Sequence, residues 1–355
     1  MKNSRSRWFA LMSILWALGA FAQPPEYELD LHWPKIPMGD NWLTSGIGGM
    51  CIDQKDHVYL LNRQNVVPAD LDGARLAPPI IELNPQGEVV RGWGDPDLLG
   101  PRIHDCHVEG DGSIWIVAAG NGYIQKYSND GSEILMQIGE TGTYDSSDGS
   151  REGAPLNSDR AQFFLPAAVD VDKETGDIYV ADGELPGGNS RIAVISREGR
   201  FLRQWPLYRT NSDSNITPLP HCIRLSNDGL VYVCDREADR IQVFDRDGNF
   251  QRNIFLQFSP ISAAEGRNSG ERGSAVVLAF SPDQEQEVMF VINQNSVMID
   301  VLERHSGRLL TSFGNGPGRY RGQFTLPHGI GVDSKGSLYI AEQEGRRVQK
   351  YNLVD

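Results

Sequence analysis

Leu326-Pro327-His328-Gly329-Ile330-Gly331-Val332-Asp333-Ser334-Lys335-Gly336-Ser337-Leu338-Tyr339-Ile340-Ala341 is the stretch whose reading decides the fold. It runs as an apolar strand, a tight polar turn and a second apolar strand, the signature of a β-hairpin. Leu219 to Asp235 repeats it around Asn227-Asp228-Gly229, and related copies occupy Ile47 to Asn62, Ile103 to Ala118 and Leu165 to Asp182. A degenerate copy, Ala275 to Asn293, turns at Ser281-Pro282-Asp283. Most copies continue into a third and fourth strand, as in Gly122 to Tyr127, the turn Asn129-Asp130-Gly131 and Ile134 to Ile138.

The turn markers Asp56, Gly112, Gly176, Gly229, Asp283 and Gly336 recur at intervals of 53 to 64 residues. Four strands at such a period are a propeller blade stretched by loops, so six copies predict an all-β, six-bladed β-propeller. No segment after the leader carries a sustained helical period. The last copy has three strands before Asp355, which predicts that Tyr27 to Trp33 returns as the missing outer strand and closes the ring. Residues 23–355 then form one domain with no linker to divide it.

Residues 1–22 differ from everything that follows. Lys2, Arg5 and Arg7 precede an apolar run from Trp8 to Ala22 ending in Ala20-Phe21-Ala22, the layout of a secretory signal peptide with a small-residue cleavage site. The run is short for a bilayer span, which takes roughly 20 apolar residues; an uncleaved anchor is the alternative. Secretion or delivery to a periplasm is therefore expected. Lys+Arg 33 against Asp+Glu 47 gives a net charge of -14. That balance, with no clustered basic patch, excludes nucleic acid and disfavours an anionic membrane as partner. The protein is expected to be a monomer. Export permits disulfides among Cys51, Cys106, Cys222 and Cys234 without requiring them. Cys222 and Cys234 face each other across the fourth hairpin, either as a disulfide or as two thiols; Cys51 and Cys106 lie on first strands of neighbouring blades and sequence does not pair them.

Superimposing the copies on their turns exposes candidate chemistry. His104, His221 and His328 each stand eight residues before their turn glycine, at the start of the innermost strand of the second, fourth and sixth copies. A lone His in an apolar strand is ordinarily a core residue, but three of seven histidines in one register on alternate blades converge on the ring axis. Three imidazoles suit zinc and leave a fourth position for water or substrate. Arg63 and Arg236 each stand seven residues after their markers, on opposite blades and on the same rim. They are placed to grip a carboxylate or stabilise an oxyanion, or else to pair with local carboxylates such as Asp235 or Glu237.

Leu326-Pro327-His328, Leu219-Pro220-His221, Cys234-Asp235-Arg236-Glu237-Ala238-Asp239-Arg240-Ile241-Gln242, and Val180-Ala181-Asp182-Gly183 with Asn189-Ser190-Arg191-Ile192 resemble the NHL-repeat propellers. Among these the chain resembles the peptidyl-α-hydroxyglycine α-amidating lyases (peptidylamidoglycolate lyases) over about Gly46 to Tyr351. The resemblance implies zinc on His104, His221 and His328 and active-site roles for Arg63 and Arg236. It also implies a small-molecule or peptide substrate with a terminal carboxylate, split into an amide and glyoxylate. The family carries a catalytic tyrosine after the Asp-Gly of the third blade; this chain has Glu184, the positional candidate for the base or else a solvated loop residue. The family's Asp after its last His, which helps hold a structural calcium, is Gly329 here, while Asp105 follows the first His; calcium is left open. Two competing readings are a non-catalytic propeller binding a peptide or protein, for which the polar insertion Gly139 to Gln162 is a candidate surface, and a metal-dependent lactonase-type hydrolase.

Overall fold

The structure, a computed structural model, describes residues 24–256 and 275–354, so the expected leader lies outside the described residues. Six four-stranded antiparallel sheets, running from innermost to outermost strand, form the six blades of a propeller. The innermost strands are Ile47–Ile52, Ile103–Val108, Pro166–Val171, Pro220–Leu225, Ala275–Phe280 and Pro327–Val332. Each packs on the next, and the sixth returns to the first.

The two middle strands of a blade are covered on both faces, which is why Ile178–Asp182, Val231–Asp235 and Leu338–Glu342 are apolar up to a single closing carboxylate and are buried throughout. Outer strands such as Ile134–Ile138 stay largely exposed. Between blades the core is continuous: Tyr179, Trp205, Ile223, Val231 and Phe244 pack across the third and fourth. The turn markers are explained by backbone conformation. Asp56, Gly112, Gly176, Gly229 and Gly336 all have positive φ, 62° to 86°, where glycine carries no steric cost. Asp283 does not; its longer turn places the positive φ at Gln286.

Ring closure is as expected in kind and shorter in extent. Glu26–Leu29 pairs antiparallel with the C-terminal strand, Glu26 opposite Val354 and Leu29 opposite Tyr351. Beyond Leu29 the chain leaves the sheet, so the predicted strand to Trp33 ends four residues early, and Trp33 turns into the core against Tyr339. Both cysteine pairs are disulfides. Cys222–Cys234 spans the fourth hairpin, where the two residues are direct partners, and Cys51–Cys106 bridges the innermost strands of the first two blades with Cα atoms 5.6 Å apart. Two bridges place the protein in an oxidising, extracellular-type environment. Among the described residues no helix is long and apolar enough to cross a membrane.

The last residue of the second strand, a buried carboxylate, is ion-paired to the first residue of the third: Asp182 to Arg191 at 3.1 Å, Asp235 to Arg240 at 2.9 Å and Glu342 to Arg347 at 2.7 Å. The 139–162 insertion docks on the first of these. Its Asp145 is 2% exposed and bonds Ser158, Asn189 and Arg191, so this part of the insertion is a structural brace rather than an open polar loop.

Candidate metal centre

His104, His221 and His328 meet on the axis. Their ring centroids are 4.8, 4.8 and 5.1 Å apart, and their candidate ligand atoms all lie within 4.8 Å of one another. Each sits where its hairpin register slips: between Ile103 and Cys106, between Pro220 and Cys222, and between Pro327 and Gly329. A bulge re-aims the side chain that it contains, and here it turns the imidazole off the blade face towards the axis. The corresponding bulge positions in the odd blades hold Gly48, Ala167 and Val276. Their carbonyl oxygens accept from Nδ1 of the preceding blade's histidine, at 2.8 Å for His328, 2.6 Å for His104 and 2.7 Å for His221. A carbonyl can only accept, so Nδ1 carries a proton in all three rings and Nε2 is the nitrogen left free of the backbone. Burial pushes His221 down to about 4, and burial with the neighbouring His104 and Arg63 holds His328 well below the ordinary imidazole range. Each ring has its second nitrogen anchored by a backbone carbonyl, the arrangement found around protein-bound metals.

The donor set is tested by what it leaves unsatisfied. Nε2 of His104 and His221 and Oε2 of Glu184 are buried with no hydrogen-bond partner. Oε2 nevertheless lies 3.0 Å from His104 Nε2 and 3.2 Å from His221 Nε2. A cation shared among them would satisfy all three buried atoms. The residues present therefore fit a metal ion.

Glu184 is 4% exposed, which overturns its reading as a solvated loop residue. It follows the third blade's second strand directly, with its backbone N–H and that of Gly183 both on Leu165 O at 2.9 and 3.0 Å. Burial opposes its charge, yet the facing imidazoles hold the carboxyl well below its usual range. Its other oxygen meets Arg102 Nη1 at 3.3 Å.

The two predicted arginines differ. Arg63 is 6% exposed, donates Nε to Ile103 O at 3.3 Å and leaves Nη2 buried without a partner. Gly48 makes room for it, since a Cβ there would lie 2.5 Å from Arg63 Nε. Arg236 is half-buried and donates Nε and Nη2 to Glu237 at 3.2 and 3.1 Å, while Asp235 is taken by Arg240. Arg102 was missed. Its signal was available, because the residue two before each axial histidine is Leu219 or Leu326 in the sister blades and Arg only here.

The three imidazoles line a void of about 10 Å³ together with residues that include Met50, Asp105, Cys222 and Ile330. Asp105 accepts both terminal nitrogens of Arg224 at 2.9 Å and the Val169 N–H at 3.1 Å. A guanidinium already neutralises the carboxylate that sequence offered to calcium.

Residues 217–244, within the fourth blade, match the NHL repeat family. The fold is a six-bladed β-propeller that carries an NHL repeat in its fourth blade. It is 27% identical to NHL repeat-containing protein 3 of Homo sapiens over 335 residues, covering 92% of this chain and 84% of that protein. It is 25% identical to the peptidylglycine alpha-amidating monooxygenase of Rattus norvegicus over 363 residues, covering 92% of this chain but 32% of that longer protein. Among solved structures, a streptogramin B lyase aligns over 93% of this chain and 98% of its own, with a TM-score of 0.53 and 15% identity. A virginiamycin B lyase from Staphylococcus aureus aligns with a TM-score of 0.52 and 16% identity, covering 92% of this chain and 89% of its own. At those identities the likeness shows the fold alone.

Proposed function

We propose that this NHL propeller is an exported, zinc-dependent lyase that cleaves a carbinolamide of the peptidyl-α-hydroxyglycine type into an amide and glyoxylate. Zinc would be held by His104, His221 and His328, and when bound would supply Lewis acidity that lowers the pKa of a substrate hydroxyl. The observation that carries the reading is the set of three anchored, converging imidazoles beside Arg63, a buried cation with an unspent donor. Such a cation suits a substrate carboxylate. Arg63 and Arg236 would hold that carboxylate, and Arg102 adds a third positive charge on the same rim. Glu184, in the position of the family's tyrosine, would take the hydroxyl proton. The electron pair of that O–H bond then forms the aldehyde C=O, the C–N bond breaks, and the amide nitrogen leaves with its electron pair and a proton, giving the primary amide and glyoxylate. Distant similarity to the amidating monooxygenases supports this chemistry. No calcium enters the reading, because Asp105 is committed to Arg224.

A second reading is favoured by Glu184. Four protein ligands usually mark a structural zinc, and a carboxylate aimed at His104 and His221 makes a closed centre in a non-catalytic propeller that binds a peptide or protein. The lactonase-type alternative calls for a carboxylate-rich centre, whereas the candidate ligands grouped here are three imidazoles. Glyoxylate release from peptidyl-α-hydroxyglycine substrates by zinc-loaded secreted protein separates lyase from binder. Activity abolished by chelation and lowered in Arg236→Ala supports the lyase; no glyoxylate from several such peptides at full zinc occupancy removes it.

A further inference from the structure

The axial histidines stand where the innermost strands begin. On the opposite face, where first strands turn into second strands, a cavity of about 620 Å³ lies between the second and third blades. That volume is in the range of small-molecule sites. Its apolar wall is Val108, Trp115, Met136, Val171 and Ile178. His107, near the far end of the strand that carries His104, also lines it. Nδ1 of His107 lies 2.6 Å from Oδ1 of Asp170, a buried carboxylate whose Oδ2 accepts from the Leu225 N–H at 2.6 Å. The ring is thereby oriented across three blades, and its Nε2 has no protein partner among the described residues. The carboxylates of the cavity are already matched. Glu109 Oε1 takes Lys126 Nζ and Trp115 Nε1, each at 2.7 Å, and Asp172 Oδ2 takes Arg246 Nε at 2.7 Å. Two exposed cations on the cavity are not: neither Lys173 nor Arg197 forms an ion pair among the described residues, and Arg197 donates Nε and Nη2 only to Thr175 O. In a chain of net charge -14, unmatched cations and an oriented imidazole gathered on one apolar cavity are complementary to an anion.

We propose that this cavity is a second ligand site, separate from the axial histidines, for a small organic anion with an apolar body. The body lies against Trp115, Met136 and Ile178, while the anionic group meets Lys173 and Arg197. His107, held by Asp170, offers Nε2 to the same group. No residue of the axial centre lines the cavity, so occupancy does not depend on a metal there.

The test uses full-length secreted protein with its disulfides intact and two fluorescent probes that differ by a single charge, anilinonaphthalene sulfonate and its uncharged parent phenylnaphthylamine. The sulfonate should bind at one saturable site, and the uncharged probe at least about tenfold more weakly, because it lacks the charge-assisted contacts. Lys173→Glu should weaken sulfonate binding about tenfold without altering urea unfolding, since the side chain is exposed and braces nothing. Arg197→Glu should act in the same direction. His107→Gln should weaken the sulfonate more than the uncharged probe, a difference that a purely structural role for the ring would not produce. Chelation of any axial metal, and Arg63→Met, should leave sulfonate binding unchanged. Equal affinity for the two probes, or unaltered sulfonate binding in both Lys173→Glu and Arg197→Glu, overturns the site. Sulfonate binding lost on chelation or in Arg63→Met places the probe at the axial centre and overturns it equally.

Discussion

Replacing Arg63 by Met should cripple turnover and leave the fold at least as stable as before. The guanidinium is 6% exposed, makes one hydrogen bond to Ile103 O and keeps a buried Nη2 unpaired. Burial pushes its pKa down to about 10. At roughly 1.4 kcal/mol for each tenfold change in acidity, that depression represents about 3 kcal/mol of desolvation that the resting fold does not recover. Met keeps much of the volume and removes this penalty, at the loss of one hydrogen bond of about 1 kcal/mol. The net is a gain of between zero and about 2 kcal/mol. The sign with pH follows from the lowered folded-state pKa of a base. The penalty is fully present below 10 and fades only as pH climbs through 10 towards the unfolded value, so the difference between variant and wild type should be flat across neutral pH. The assay is urea unfolding of both proteins with disulfides intact, beside glyoxylate release. If Arg63 holds the substrate carboxylate, kcat/KM should fall about 10- to 150-fold, the worth of one charge-assisted hydrogen bond. A variant destabilised by more than about 2 kcal/mol with turnover intact would show Arg63 to be a structural residue and refute the reasoning.

Single replacement of His104, His221 or His328 by Ala should abolish stoichiometric zinc, read by elemental analysis of purified protein; full zinc in every variant would remove the centre. Arg240→Ala strips the buried Asp235 and Asp213 of their cationic partner and should cost about 3–5 kcal/mol in denaturant unfolding. Replacing Cys51 and Cys106 together by Ser opens a crosslink of sequence separation 55 and should cost up to about 4 kcal/mol, measured under non-reducing conditions. The N-terminus of secreted material should begin at Gln23, and a mass that retains the first 22 residues would support the anchor instead.

The fold was legible because a propeller writes each blade separately, and turn residues such as Gly229 and Gly336 must satisfy a positive φ wherever the hairpin recurs. The same register placed three histidines on alternate blades. It could not show the bulges that swing their rings inward, because a slip of pairing depends on the partner strand and leaves no composition signal. Nor could it show that Gly48, Ala167 and Val276 matter through their carbonyls, which every residue type carries. Glu184 looked like loop because its neighbours Leu185, Pro186, Gly187 and Gly188 are loop-forming; its burial comes from Leu165, His104 and Arg102, far off in sequence. Arg102 carried a readable signal in its contrast with Leu219 and Leu326, visible only when the copies are compared two positions upstream of the histidines. The Cys51–Cys106 bridge needed the spacing between blades, which no hairpin count supplies.

The bond from His328 to Gly48 O crosses the seam where the ring is sewn shut, as does the pairing of Glu26–Leu29 with the C-terminal strand. The other two imidazoles are hinged within runs of consecutive blades, but this one is oriented by a carbonyl from the far end of the chain. A proposed metal on the axis thus acts as a closure gauge. Any loosening of the first blade from the sixth would turn His328 and release the ion before the rest of the ring had parted, and a bound ion would in turn resist that first parting. Loss of metal under mild denaturant, ahead of any fall in overall β-structure, would make the centre a sensor of whether the circle is whole.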